Sequence, residues 1–398
     1  MLNWSESHSL TGHRSRRPEA PDPVGRQYAA ANGLMTAIRE TPSVFLSCTP
    51  REGDARLVAK LESANPGGSL KDRSAWHIVR EAERVGALRP GGVLIESSSG
   101  NFGIALAMIG ASRGYRVIAV VDPKITEANL GLLRAFGAEI VVVHERDDSG
   151  SYHKTRIALA NDLHRQIPNS FRPDQCFNVK NGEAHYLTTG PELLDQVGEG
   201  LAAVVCTVST GGQLGGISRY LKQVAPQVRI VGVDIAGSTV FGGAPHAYLT
   251  PGMGLSWTPT NLDDLGRIDE VYLLHDEDSF VGCRALARNE GILAGPSTGA
   301  AYLVATKLAM NLPATSSVAF LASDRGERYL QTAFSDDWMR SKGFTVDVTI
   351  DALRARAQKV SLRSSSPAQD CANYDETIAE ALGSPTVLPT AHYATQGS

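Results

Sequence analysis

From about residue 28 to 345, short apolar β-branched runs alternate with longer stretches of helical periodicity, and this alternation leaves few architectures open. Runs at 57–62, 93–96, 117–121, 139–143, 203–207, 230–234 and 318–321 read as strands. Most are rich in Val and Ile. Helical patterns fall between them at 71–85, 103–113, 127–136, 153–166, 212–224 and 298–311. In the first of these, Trp76, Val79, Ala82 and Val85 recur every third residue and would form one apolar stripe. Strand, helix, strand at this cadence implies parallel sheets wound by right-handed crossovers, with helices on their faces. The pattern breaks near 170–185, so two α/β domains are expected, at 28–180 and 181–345. Residues 1–27 are polar and Pro-rich, and 346–398 end in a Ser-, Ala- and Thr-rich run. Both are expected to be flexible, with a short helix pattern at 350–359.

Composition narrows the class of molecule. A chain of 398 residues is long enough for two domains. Its formal net charge of -4 gives no electrostatic reason to bind nucleic acid or an anionic membrane. No apolar run is long enough to cross a bilayer, and the first residues lack the apolar core of an export signal. The five cysteines, Cys48, Cys176, Cys206, Cys283 and Cys371, are scattered without a C-x-x-C pair. They predict no disulfide framework and no zinc site, but a cytoplasmic setting in which each is a small buried hydrophobe. The glycines cluster at loops where strands meet helices, and in open α/β sheets those loops hold the ligands.

Four such loops carry unusual residues. Ser209-Thr210-Gly211-Gly212-Gln213 follows a strand and opens a helix, so its backbone amides and the helix N-terminus suit a phosphate without a lysine. It fits neither a dinucleotide fingerprint nor a Walker loop. Asn65-Pro66-Gly67-Gly68 is a turn, and Ser69 is a natural N-cap for the helix that follows. Lys71 then falls in the first helical turn, where positive potential disfavours an ammonium ion. That makes it a candidate for a neutral, Schiff-base-forming amine, against the plainer reading of an exposed lysine. In Ser97-Ser98-Ser99-Gly100-Asn101, hydroxyls and amides at a helix start suit a carboxylate, and Asn101 can bond a phenolic oxygen. Gly295-Pro296-Ser297-Thr298-Gly299 heads another helix, where Ser297 serves either as a cap or as a ligand.

Taken in order, N-P-G-G-S-x-K-D-R, S-S-G-N, a Gly-rich T-G-G loop and G-x-S-T-G resemble the fold-type II pyridoxal-phosphate enzymes. The likeness is greatest to the cysteine synthase and cystathionine β-synthase group, over roughly residues 35–340. It implies two open, parallel-sheet, three-layer αβα domains of the tryptophan synthase β-like class, in a homodimer. It also implies pyridoxal 5'-phosphate held by Lys71 through a Schiff base, with Asn101 on the ring oxygen and Ser297 facing the pyridine nitrogen. Ser209, Thr210, Gly211, Gly212 and Gln213 would hold the phosphate; Ser98, Ser99 and Gly100 would hold an amino-acid carboxylate. A neutral hydroxyl at 297 makes the ring a weaker electron sink than a carboxylate partner would. That suits loss of a β-leaving group through an aminoacrylate, with Lys71 as base for the α-proton.

Ser69-Leu70-Lys71-Asp72-Arg73 differs from the S-F-K-x-R-G-A-like segment of serine and threonine dehydratases, and no haem-binding segment is present. Replacement is therefore expected rather than deamination. The stretches Glu96 to Asn101, Val121 to Ile125, Asp234 to Ser238 and Asp324 to Leu330 look most like synthases that join O-phospho-L-serine to L-glutamate. Those enzymes make N-(2-amino-2-carboxyethyl)-L-glutamate, a precursor of 2,3-diaminopropionate for siderophores and antibiotics. The alternative is a cysteine or S-sulfocysteine synthase, using O-phosphoserine or O-acetylserine with sulfide or thiosulfate. Departures from the family pattern include Phe102, expected to alter the pocket, and a missing glutamine or tyrosine near Phe177 to Asn181. Lys180 and Arg156 are each either anion contacts or solvated surface charges, and Pro251-Gly252-Met253-Gly254 resembles a mobile loop near the cofactor.

Overall fold

The computed structural model describes residues 33–47, 52–147 and 152–363. The expected flexible segment at 1–27, the end of the tail, Cys48 and Cys371 lie outside the described residues.

Two sheets organise the described chain. The larger contains β1 (Ser43–Phe45), β2 (Arg56–Lys60), β7 (Leu201–Thr207), β8 (Arg229–Ile235), β9 (Glu270–Leu274), β10 (Ser317–Leu321) and β11 (Ser361–Arg363). Their order is β1-β2-β10-β7-β8-β9-β11. Its interior pairings are parallel, and the edge pairs β1–β2 and β9–β11 are antiparallel. The smaller sheet contains β3 (Val93–Ser97), β4 (Arg116–Val121), β5 (Glu139–Val142) and β6 (Ser170–Phe171). Its order is β5-β4-β3-β6, parallel throughout.

Successive side chains point to opposite faces of a strand, so a parallel strand with helices on both sides must be apolar throughout. In the larger sheet Leu57, Val205, Val233 and Phe320 pack with α8 (Asp276–Glu290), α9 (Pro296–Ala309) and α11 (Ile350–Lys359). Their neighbours Val58, Val204, Ile230 and Leu321 pack with α6 (Thr189–Val197) and α7 (Gly212–Val224). In the smaller sheet Leu94, Val117 and Ala119 meet α1 (Lys71–Arg84), α2 (Asn101–Arg113) and α3 (Glu127–Ala135). Ile95, Ile118 and Val120 meet α4 (His153–Gln166). Each sheet is thus the middle layer of an αβα sandwich. The short α5 (Lys180–Leu187) packs against both α1 and α7 and links the two units. α10 (Asp336–Ser341) adds Met339 to a satellite cluster with Phe280.

The seven strands and six helices expected from the periodicity all form, with ends shifted by at most two residues. Three expectations need correction. β2 lies early in the chain but joins the later strands, pairing in parallel with β10 through Leu57↔Val318 and Ala59↔Phe320; the sheets therefore do not part the chain at 180. Residues 346–363 are packed, with Leu353 and Ala357 fully buried and β11 extending the larger sheet. The apolar stripe of α1 stops at Ala82, because the helix ends at Arg84 and Val85 is 63% exposed.

Candidate active site

The loops that leave β3, β7 and β10 converge with the start of α1 on one recess, at the carboxyl ends of the strands. Lys71 and Asn101 line it together with Ser209, Thr210, Gly211, Gly212, Gln213 and Ser297. Every residue expected to touch the cofactor therefore falls in one place. Leu70, Thr207, Gly252 and Ser323 complete the lining. A larger cavity, about 260 Å³, lies elsewhere, between Met35, Trp76 and Leu187. It contains none of the four loops, so chemistry rather than size identifies the site.

Lys71 is held there by its turn. Asp72 accepts the Gly67 N–H at 2.6 Å, and Arg328 donates to the Gly67 carbonyl at 2.6 Å. Leu70 N–H donates to Ser323 O, fastening the turn to the loop after β10. Gly68 has φ +83°, a conformation that favours glycine, and a Cβ there would meet Arg325 at 3.0 Å. Ser69 Oγ accepts the Lys71 N–H at 3.2 Å, but Leu70 and not Ser69 occupies the cap position, so Ser69 braces the helix start from one residue further out than expected. The amine is no exposed lysine: burial lowers its pKa to about 8, against opposing pulls from Cys176 and Asp324. An amine so desolvated keeps a substantial neutral fraction near neutral pH.

The phosphate-type loop is shaped by close packing. Gly211 has φ +78° just before α7. A Cβ at Gly212 would strike the Asn181 amide, one at Gly215 the Asn261 carbonyl, and one at Gly216 the Gly182 carbonyl. Glycine at these points lets α7 sit deep against α5 and the Asn261 loop. Asn181 also donates to Thr210 Oγ1 at 3.0 Å, and Ser209 Oγ donates to Gly254 O at 3.1 Å. Gly215 N–H bonds to Gly211 O, so the amides of Gly212, Gln213 and Leu214 are left without intrahelical partners at the helix mouth. Amides and hydroxyls in a loop that itself carries no lysine or arginine, Ser209 to Gln213, suit a phosphate ester held by hydrogen bonds and the helix dipole.

At the third loop the hydroxyls also serve the protein's own framework. Ser98 Oγ accepts the amides of Gly103 at 3.1 Å and Gly100 at 3.4 Å, so its hydroxyl caps α2. Ser99 Oγ accepts from Arg156 Nη1 at 2.8 Å and lies beside Asp122. Ser98 keeps its O–H to donate, and Asn101 is the residue of this loop that lines the recess. What the loop offers a carboxylate is the first amides of α2, Asn101 and Phe102. The Phe102 ring is buried in the core and does not shape the site.

Other residues also depart from their plainer readings. Ser297 is buried near the start of α9, but no side chain caps that helix, so its hydroxyl is free to face the recess. Arg156 is buried and paired with Asp122 at 2.9 Å, not on the surface. Lys180 forms a half-exposed pair with Glu183. Cys206 and Cys283 are buried as expected, whereas Cys176 is half-buried in the electrostatic neighbourhood of Lys71. Gly252 brings the expected mobile loop into the lining. Sequence reasoning missed Asp324, a buried carboxylate that accepts from Asn101 Nδ2 at 2.8 Å. It lay in a stretch noted for resemblance, but only the tertiary pairing gives it a role.

A desolvated lysine sharing a recess with the open amides of a helix mouth, within paired αβα sandwiches, suits an enzyme that captures a phosphorylated aldehyde. A family model described as pyridoxal-phosphate dependent enzyme matches residues 34–324, and the chain belongs to that family. Its cofactor is pyridoxal phosphate, and the residues of the recess fit it. The structure is similar to that of an O-ureido-L-serine synthase, at 32% identity and TM-score 0.72, covering 79% of this chain and 100% of that one. It is also similar to an O-acetylserine dependent cystathionine β-synthase from Helicobacter pylori, at 32% identity and TM-score 0.69, covering 76% and 98%. A hydrogen sulfide-producing enzyme from Fusobacterium nucleatum matches at 32% identity and TM-score 0.71, covering 77% and 100%.

Proposed function

We propose that this enzyme replaces the β-substituent of O-phospho-L-serine with L-glutamate, giving N-(2-amino-2-carboxyethyl)-L-glutamate and phosphate. The observation that carries β-replacement is the desolvated Lys71 amine within the same recess as the α7 amides and Ser297. Pyridoxal phosphate, when bound, supplies the electron sink that acidifies the substrate α-carbon and lets the β-substituent depart. Lys71 Nζ would hold the cofactor and, when free, would accept the α-proton. The amides at the start of α7 would carry the phosphate, the Asn101 amide would orient the ring oxygen, and Ser297 would give the ring nitrogen an uncharged partner. The amides of Asn101 and Phe102 bind the substrate carboxylate.

Support for an acidic acceptor comes from the sequence rather than from Arg156, whose buried guanidinium is engaged by Asp122 and the Ser99 hydroxyl. The four stretches that resemble the glutamate-accepting synthases support the same reading. A second reading, a cysteine or S-sulfocysteine synthase, is favoured by the similarity to an O-acetylserine dependent enzyme. Purified enzyme should be offered O-phospho-L-serine or O-acetyl-L-serine with glutamate, sulfide and thiosulfate together, and the products weighed by mass spectrometry. A glutamate adduct formed from O-phospho-L-serine is expected. Cysteine or S-sulfocysteine as the main product, or activity with O-acetyl-L-serine alone, would overturn the donor and acceptor assignment. A homodimer is also proposed, and a monomer in sedimentation equilibrium would refute it.

A further inference from the structure

We infer that Asp324 is a positioning residue of this site: its carboxylate locks the Asn101 amide with one N–H free for the recess and sets the charge beside the Lys71 amine. The inference rests on the roles proposed above for Lys71 and Asn101.

Asp324 stands three residues after β10 and is 1% exposed. Its Oδ2 accepts two hydrogen bonds, from Asn101 Nδ2 at 2.8 Å and from the Tyr329 hydroxyl at 2.6 Å. Its backbone bridges to Ser69, two residues before Lys71. Gly295 makes room, because a Cβ there would collide with Asp324 Oδ1. That oxygen is buried and without a hydrogen-bond partner, an arrangement that costs stability and calls for a reason.

The chemistry of the pair supplies one. An asparagine amide can present either its oxygen or its NH₂ to a neighbour, whereas an ionised carboxylate only accepts. Facing Asp324, Asn101 must turn its NH₂ inward, and one N–H of that group remains for an acceptor in the recess. A neutral neighbour able to donate would leave the amide free to flip. The same negative charge opposes the desolvation of the Lys71 amine. Cys176 and His185 also act near this amine. Burial pushes the thiol up to about 12 and holds the imidazole well below its usual value, so both are uncharged near pH 8. Arg328 and Arg325 lie on the Asp324 loop but spend donors on the Gly67 and Ser63 carbonyls.

The test compares full-length wild type with Asp324→Asn, Asp324→Ala and Lys71→Ala. Equilibrium capture of pyridoxal phosphate is followed by the visible band of lysine-bound cofactor across pH. Asp324→Asn loses the charge and can itself donate, so the capture midpoint should fall by about one pH unit, with affinity at high pH weakened about threefold as the Asn101 amide becomes free to flip. Asp324→Ala should show the same shift and bind cofactor about tenfold more weakly, the cost of an unsatisfied, unanchored amide. If both variants match wild type in midpoint and affinity, the inference fails. If Lys71→Ala retains the band, the underlying reading fails instead. Should Asp324→Ala not fold, the near-isosteric Asp324→Asn decides on the midpoint alone.

Discussion

Asp72, next to the reactive lysine, shows how the site loads its own framework. Burial pushes its carboxyl up to about 7 from 3.8, partly offset by the Gly67 N–H and by Arg328. A group that binds its proton more tightly when folded lends stability below its unfolded pKa and loses it as pH rises through the folded one. Relative to Asp72→Asn, wild type should therefore lose unfolding free energy between about pH 4 and pH 7 and run parallel above that. Urea denaturation of both proteins across this range checks it; curves parallel throughout would show that Asp72 is not strained. At this scale the sequence was legible wherever a residue's role follows from local backbone. Lys71 in a first turn and glycines at a helix mouth are such cases. The loop at Ser98 and Ser99 was less legible, because partners of these hydroxyls lie at Gly103 and Arg156, five and 57 residues away.

The glycines of α7 belong to the element scale. Gly215→Ala would drive a methyl group into the backbone carbonyl of Asn261 and push the helix mouth out of place. A loss of about 1–3 kcal/mol in stability is expected, with weakened cofactor binding. Gly131 is the contrast, since it lies within α3 with nothing near its would-be Cβ. Gly131→Ala should gain about 1 kcal/mol from helix propensity and leave cofactor affinity unchanged. Chemical denaturation and cofactor titration of both variants test the distinction. Strong β-branched runs and long apolar periodicity made the central strands and helices readable. β9 and α8 escaped because their burial depends on partners: α8 opens with Asp276, Glu277 and Asp278, yet hides Phe280 and Leu286. α5 and α6 contain Gly182, Gly190 and Pro191, which read locally as breakers.

Across the whole molecule, long-range pairing decides what belongs together. β2 joins the later strands through β10, and Arg73 of α1 reaches Glu62 at 2.7 Å and Glu192 of α6 at 2.6 Å, tying the layers of the two sheets. No local pattern could announce that assembly. The same holds for the end of the described chain, read from its composition as a tail but packed as α11 and β11. Leu353→Ala should cost about 2–5 kcal/mol, as for a core leucine, because the side chain is fully buried. A loss under half a kilocalorie in urea denaturation would return this segment to the status of a loose appendage. Catalysis in this fold needs one amine to meet one cofactor. Borohydride reduction of the purified enzyme, followed by peptide mass spectrometry, should place the pyridoxyl group on Lys71. Its appearance on another lysine, or on none, would rule out Lys71 as that amine.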